Sequence, residues 1–401
     1  MVTHPTRTDA VEAASAIIDS LRKGDGEFMS ETERIQILHK AKELSMLLEK
    51  PEDGLIKLVF APSQVMSMRV CVDLGIFPIL SEKPETSAEE LSARTGADET
   101  LIRRLLRILT ATSLVVERGV GLYGPNKWTE KLATRTTAAM IKWNCDLSLH
   151  CLGHAAAWFK EVGYKNPQDP KAVPFQRAFN AGGVDIYPWL TMPENEQYWN
   201  NANEFFEGDR GSRPSWTTWF PVREKLLSGL RVEEGGPLLV DVAGGRGHDI
   251  SEFEKQFPDV PGRLVLQDQQ FVLDSAVSLS PRVEKRVIDF WEDVPVRDSR
   301  IYFMKFIMHD FNDEQCVQIL KNVAGAMKKG YSQLVISDFI LPDANCPELP
   351  AQWDLIMMSV MAGVERTESQ WVSLLDLAGL RIEGLYQPPG DGQGIIVAIL
   401  A

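Results

Sequence analysis

The sequence predicts an α/β protein: a doubly wound, Rossmann-like parallel sheet in the C-terminal part, preceded by an α-helical, winged-helix unit. Two observations carry this. From Pro237 onward, short apolar runs alternate with stretches of helical spacing, which gives strands over 238–242, 263–267, 301–307, 333–337 and 394–400. Helices fall between them over 248–257, 271–278, 313–328 and 367–378, with the last strand returning to the sheet. The first run, Leu238 to Val242, also ends in a glycine-rich turn, Gly244-Gly245-Arg246-Gly247, from which helical spacing starts at His248. Glycines there let a ligand approach the backbone, at the sheet edge where α/β folds bind ligands.

Ahead of the sheet, Val11, Ala14, Ile17, Ile18 and Leu21 recur at helical spacing, as do Ile37, Ala41, Leu44 and Leu48. A polar break at Lys23-Gly-Asp-Gly26 separates these two amphipathic helices. Leu55 to Leu74 form an apolar, Met-rich helix that stops at Gly75. Thr86-Ser-Ala-Glu89 reads as a capping box opening a helix over 88–95. A turn at 96–98 leads to a helix over 99–111, then a hairpin from 114–117 and 121–123. Helix, turn, helix, hairpin is a winged-helix pattern, and Arg103, Arg104 and Arg107 raise the question of DNA. They interleave with core leucines, which favours a packing module. Residues 136–230 are helical and rich in Trp and Phe; some of these aromatics are expected to line an apolar pocket. The implied domains are 1–140 and 141–401, with 141–232 as the pocket segment.

Composition narrows the function. The 401-residue chain carries a formal net charge of −14, unsuited to a nucleic-acid polyanion. Five cysteines without a C-x-x-C pair fit a reduced, cytoplasmic protein, and no ligand-spaced cluster implies a metal. No signal-peptide core is present at the amino terminus, and no run of eighteen apolar residues predicts a membrane span.

The ligand of the glycine turn can be narrowed too. Ile250 stands where a dinucleotide fingerprint needs its third glycine, and no phosphate-loop motif occurs. The second strand, Arg263 to Gln267, ends in Asp268, about twenty residues beyond the turn and placed to meet a ribose diol. An acid in strand one (Asp241), a glycine turn (Gly244, Gly245) and Asp268 together fit S-adenosyl-L-methionine (SAM). Alone, the turn is more often a generic tight turn than a cofactor site, and the acid ending the second strand evens that balance.

The strand over 301–307 runs into His309 and Asp310, at the same sheet edge. A histidine there could merely fix a loop, or it could serve as a base beside the cofactor. Two acids could orient it: Asp338 at the end of the next strand, and Glu365 in the loop before the last helix.

Together these segments resemble the plant and fungal SAM-dependent O-methyltransferases, the type that includes caffeic acid and fungal polyketide methyltransferases. The resemblance runs from about Leu55 to the C-terminus and implies a class I methyltransferase sheet and an N-terminal dimerisation domain that makes a homodimer. It further implies that Asp289 faces the adenine amino group, Phe290 packs on the ring and Lys305 makes another cofactor contact. His309 matches the family's general base and Glu365 an acid flanking it. The substrate implied is a small aromatic or enolic metabolite, polyketide-like. Ala243 replaces a family glycine, Arg246 a smaller polar residue, and Asp338 is one methylene shorter than the glutamate of many plant members. Two alternatives remain: a SAM-binding pericyclase on the same scaffold, and a SAM-sensing winged-helix regulator.

Overall fold

The computed structural model describes residues 6–23, 29–209, 214–232, 235–276 and 278–401; His4 and the predicted break at 24–26 lie outside the described residues. The chain divides into two compact units, Met1–Leu147 with Asn200–Gly208, and Ser148–Trp199 with Asp209–Ala401.

The first unit opens with helices Arg7–Lys23 and Glu31–Leu48; Ser30 and Glu33 cap the second reciprocally. Helix Pro51–Asp73 follows. Strands β1 (Thr86–Ser87), β2 (Val116–Gly119) and β3 (Leu122–Gly124) form an antiparallel sheet in the order β1-β3-β2. Helix Glu99–Ala111 buries Ile102, Leu105, Leu106 and Leu109 against Cys71, Ile76, Phe77 and Leu91. The predicted capping box is displaced. Thr86 is taken up in β1 opposite Tyr123, so Ser87 caps helix Ala88–Thr95 through the Glu90 amide at 3.1 Å. Arg103 is paired with Glu99 at 2.6 Å, which turns one of the three arginines to a local role.

One helix bears on the membrane expectation. Pro51–Asp73 contains a window of mean hydropathy 1.4 and is long enough to cross a bilayer by length and composition, although Pro62 and scattered polar residues break every continuous apolar run. Only 11 % of that window is buried within the chain, and Leu55, Ile56, Leu58, Val59, Phe60 and Met66 are exposed. An apolar face of this size calls for a partner surface.

The second unit holds a seven-stranded sheet. Its strands are β4 (Leu239–Val242), β5 (Leu264–Asp268), β6 (Val283–Val287), β7 (Ile301–Lys305), β8 (Gln333–Asp338), β9 (Leu380–Tyr386) and β10 (Gly394–Leu400). Their order is β6-β5-β4-β7-β8-β10-β9. Pairing is parallel from β6 to β8, whereas β10 runs antiparallel to both β8 and β9, so the sheet is mixed rather than wholly parallel. The two strands missing from the sequence reading, β6 and β9, are the edges. Half-exposed edge strands such as Val283-Glu-Lys-Arg-Val287 lack the apolar run that reveals a central strand. The helix Glu348–Met361 was likewise not predicted.

Alternate residues of the central strands feed two cores. Val240, Tyr302, Met304, Leu334 and Ile336 pack with helices Asp313–Ala326 and Glu368–Leu377 on one face. Leu239, Phe303, Val335 and Ile395 pack with Trp216 and Phe253 on the other. Because β4, β5, β7 and β8 are mutually parallel, Val242, Asp268, Lys305 and Asp338 all end at one edge. That edge positions the site.

Candidate active site

The turn after β4 is built around close approach. A Cβ on Gly244 would stand 2.4 Å from the Asp241 carboxyl carbon and 2.6 Å from Leu266, so only glycine lets the backbone pass. Asp268 is tied to this turn: its carboxylate accepts the Gly245 amide at 2.8 Å and the Gln269 amide at 2.7 Å. Burial nevertheless raises the Asp268 pKa, against the lowering effect of those amides. Ala243, in the place of the family glycine, takes φ 57°, a left-handed conformation that costs a Cβ residue ~1–2 kcal/mol. Arg246 is turned toward Ser275, 3.3 Å away.

Beyond β6, the Ile288 amide donates to the Asp268 carbonyl at 3.1 Å, which brings Asp289 and Phe290 alongside Asp268. Asp289 is exposed and accepts the Trp291 amide at 3.0 Å, while the Phe290 ring leans on Trp291 and Phe311. Lys305, ending β7, places its ammonium 3.3 Å from Asp249 on the helix that follows the glycine turn. The structure thus gathers Asp241, Gly244, Gly245, Asp268, Asp289, Phe290 and Lys305 at the ends of β4 to β7.

β7 stops at Lys305, two residues short of the predicted end, because Phe306 turns left-handed at φ 54° and a 3₁₀ turn, Met308–Asp310, follows. His309 lies on that turn, 5 % exposed. Its Nδ1–H donates to Glu365 Oε1 at 2.7 Å, and its Nε2 stands 3.3 Å from Asp310 Oδ1. Asp338 is fully buried close by, and neither of its carboxylate oxygens has a hydrogen-bond partner among the described residues. Of the two acids left open by the sequence, Glu365 is the one that bonds the imidazole.

The Glu365 loop reaches His309 because it presses on the turn's backbone. Val364 donates to the His309 carbonyl at 2.8 Å, and a Cβ on Gly363 would stand 2.4 Å from that same oxygen. The neighbouring Arg366, 1 % exposed, donates to the carbonyls of Met308 (2.7 Å) and Phe311 (2.8 Å) and to Asp313 (2.9 Å). It staples the loop to the turn from beneath.

Electrostatics follow from this crowding. Burial disfavours the imidazolium, but Glu365, Asp310 and Asp338 outweigh it and push the His309 pKa up to about 10. Burial pushes Asp338 up to about 7 and Asp310 to about 6, with His309 drawing both the other way. The acids around the ring thus favour its imidazolium form.

Aromatic rings surround the histidine. Phe306 stacks on His309 at 5.0 Å and lies parallel to Trp353 at 6.0 Å, with Phe339 beside them. From the 136–230 segment, Phe175, Phe179, Trp189 and Tyr198 form a cluster of their own, and Trp216 is core, stacked on Phe303 at 4.8 Å. The same segment supplies Tyr187, whose hydroxyl donates to Asp310. Tyr187, Arg366 and Trp353 escaped the sequence reading; only a fold can bring residue 187 to residue 310.

Comparison with known proteins agrees with the geometry. Residues 217–381 match the O-methyltransferase domain model and residues 56–135 the O-methyltransferase dimerisation domain model. O-methyltransferase penC of Penicillium thymicola is 33 % identical over 91 % of both chains. Demethylsterigmatocystin 6-O-methyltransferase of Aspergillus flavus is 32 % identical over 91 % of this chain and 92 % of its own. Among solved structures, LepI in complex with SAM superposes with a TM-score of 0.87 at 30 % identity, covering 99 % of this chain and all of that one. A structure described as a pericyclic reaction enzyme superposes equally well, TM-score 0.87 at 29 % identity, over 98 % of this chain and 100 % of its own.

The residues present fit the cofactor. The turn excludes Cβ atoms at Gly244, Asp268 keeps lone pairs beyond the two that its amide bonds use, and an aromatic ring lies beside it. The chain belongs to the SAM-dependent O-methyltransferases of the kind that serve fungal secondary metabolism.

Proposed function

We propose that this enzyme methylates a hydroxyl of a small aromatic or enolic, polyketide-like metabolite, with His309 as general base. The observation that carries the proposal is the buried Glu365–His309 contact, at the sheet edge that also holds the glycine turn. SAM, when bound, supplies an electrophilic methyl group. Asp241, Gly244 and Gly245 would hold its aminoacyl end, Asp268 the ribose, Asp289 and Phe290 the adenine, and Lys305 a further contact.

A phenol ionises near pH 10 and is a poor nucleophile while protonated. His309 Nε2 takes the acceptor's proton as its oxygen attacks, and Glu365, fixed at Nδ1, stabilises the imidazolium that results. Base catalysis of this kind supplies ~10²–10⁴ in rate, and holding the acceptor beside the methyl supplies more. Asp338 lies close to the ring without bonding it, and favours the imidazolium to the extent that it is ionised. On this reading residues 1–140 pair two subunits through the exposed apolar face of helix Pro51–Asp73, and 141–401 carry the chemistry, with 141–232 on the acceptor side.

A second reading has an observation in its favour. An imidazolium favoured by three acids can donate from Nε2 to a carbonyl and so polarise it, and a structure described as a pericyclic reaction enzyme shares this fold. The SAM-sensing regulator is disfavoured, since Arg103 is engaged by Glu99 and the winged-helix unit matches a dimerisation domain. Incubation with SAM and a panel of fungal phenols and enols, followed by mass spectrometry, decides between them. A product heavier by one methyl supports O-methylation; a rearranged product of unchanged mass gives the site to the pericyclic reading.

A further inference from the structure

We infer that Tyr187 is a positioning residue that sets the proton affinity of His309 through Asp310, an inference that rests on reading His309 as the site's proton-handling group. Tyr187 lies on helix Ile186–Leu190, far in sequence from the segments that supply the histidine and its acids. Its hydroxyl donates to Asp310 Oδ2, while Oδ1 of the same carboxylate stands 3.3 Å from His309 Nε2. With Glu365 on Nδ1 at 2.7 Å, four side chains form one continuous line: carboxylate, imidazole, carboxylate, phenol. Asp310 and His309 are enclosed, at 7 % and 5 % exposure, whereas Tyr187 remains 43 % exposed.

The direction of its effect follows from the groups around the pair. His309 is faced by Glu365, Asp310 and Asp338; Asp310 by His309, Tyr187, Glu365 and Asp185; Tyr187 by Asp310, Asp185 and Asp268. Arg366 lies beneath the turn, bonded to its carbonyls, and favours the charged form of Asp338. Burial and the surrounding acids all resist ionisation of Asp310; His309 and the Tyr187 hydroxyl favour it. A donated hydrogen bond stabilises a carboxylate over its acid. Asp310, with the lower proton affinity of the two, is already ionised where His309 titrates, so the Tyr187 bond draws charge from its carboxylate and weakens its hold on the imidazolium. Removing the hydroxyl tightens the proton on His309.

The test needs no substrate. The full chain, labelled with [13Cε1]-histidine, is titrated by NMR; its six histidines are few enough for His309 to be assigned as the signal lost in H309Q. Tyr187→Phe keeps the ring and should raise the His309 midpoint. Asp310→Asn should lower it instead, by ~1–3 pH units, the range for losing an adjacent opposite charge. Added to Asp310→Asn, Tyr187→Phe should do nothing further. An unmoved or lowered midpoint in Tyr187→Phe overturns the inference, as does a shift that persists undiminished beside Asp310→Asn. Should Asp310→Asn fail to fold, 3-fluorotyrosine at 187, a stronger donor, should lower the midpoint, and a rise would overturn the inference. Activity that survives His309→Ala would end the general-base reading without touching these titrations, and unmoved midpoints would end the Tyr187 inference without touching the base.

Discussion

Asp338→Asn should change how stability depends on pH. Asp338 ends β8 with no exposed surface, and neither carboxylate oxygen is hydrogen-bonded among the described residues. Burial pushes its pKa from 3.8 up to about 7, against the pull of His309. Between those values the folded protein keeps a proton that the unfolded chain has released. Stability therefore falls as pH rises from about 4 to about 7 and levels off above that. About three pH units at ~1.4 kcal/mol each set an upper limit of ~4 kcal/mol on the loss; sharing of charge with His309 brings the expectation to ~2–4 kcal/mol. Asparagine has the same shape but does not titrate. Its buried amide costs ~1–3 kcal/mol wherever it lacks partners, a penalty that is constant with pH. Chemical denaturation of both proteins across this range should show the variant gaining on wild type by the stated amount as pH rises. A pH-independent difference would refute the reasoning and mean that Asp338 is ionised in the fold.

Gly363→Ala should push the Glu365 loop off the His309 carbonyl, lowering kcat at least ~10-fold and stability by ~1–3 kcal/mol while SAM affinity measured by calorimetry stays near wild type. Asp268→Ala removes charge-assisted bonds and should weaken SAM binding by ~2–3 kcal/mol in the same assay; unchanged affinity in a folded variant would remove Asp268 from the site. Light scattering at micromolar concentration should give about twice the 44.9 kDa chain mass, and a monomer would count against the use proposed for helix Pro51–Asp73.

What the sequence could reveal depended on how local each signal is. The glycine turn, the acid ending β5 and the His309 segment are contiguous strings, so their spacing alone places them at one sheet edge. Central strands declare themselves by apolar runs; β6, with three charged residues in five, does not, and its place beside β5 emerges only from pairing. The choice between Asp338 and Glu365 turned on side-chain reach. Both acids end up near His309, but only the loop anchored by Gly363 and Arg366 brings a carboxylate within hydrogen-bond distance. Tyr187 was out of reach altogether, because its contact joins residues 123 positions apart and its own segment shows no motif. Likewise, counting aromatics in 136–230 could not separate Trp216, which is core, from rings that face the site.

The most direct test of the proposed mechanism is the pH–rate profile of methyl transfer for wild type and His309→Ala, measured with the best acceptor from the phenol and enol panel. For wild type, kcat should climb with pH as His309 sheds its proton, toward a midpoint set by its raised proton affinity. His309→Ala should lose ~10²–10⁴ in kcat, keep SAM affinity nearly intact and show no such climb. Methylation by His309→Ala at close to the wild-type rate, with the same pH dependence, would contradict the assignment of His309 as the base.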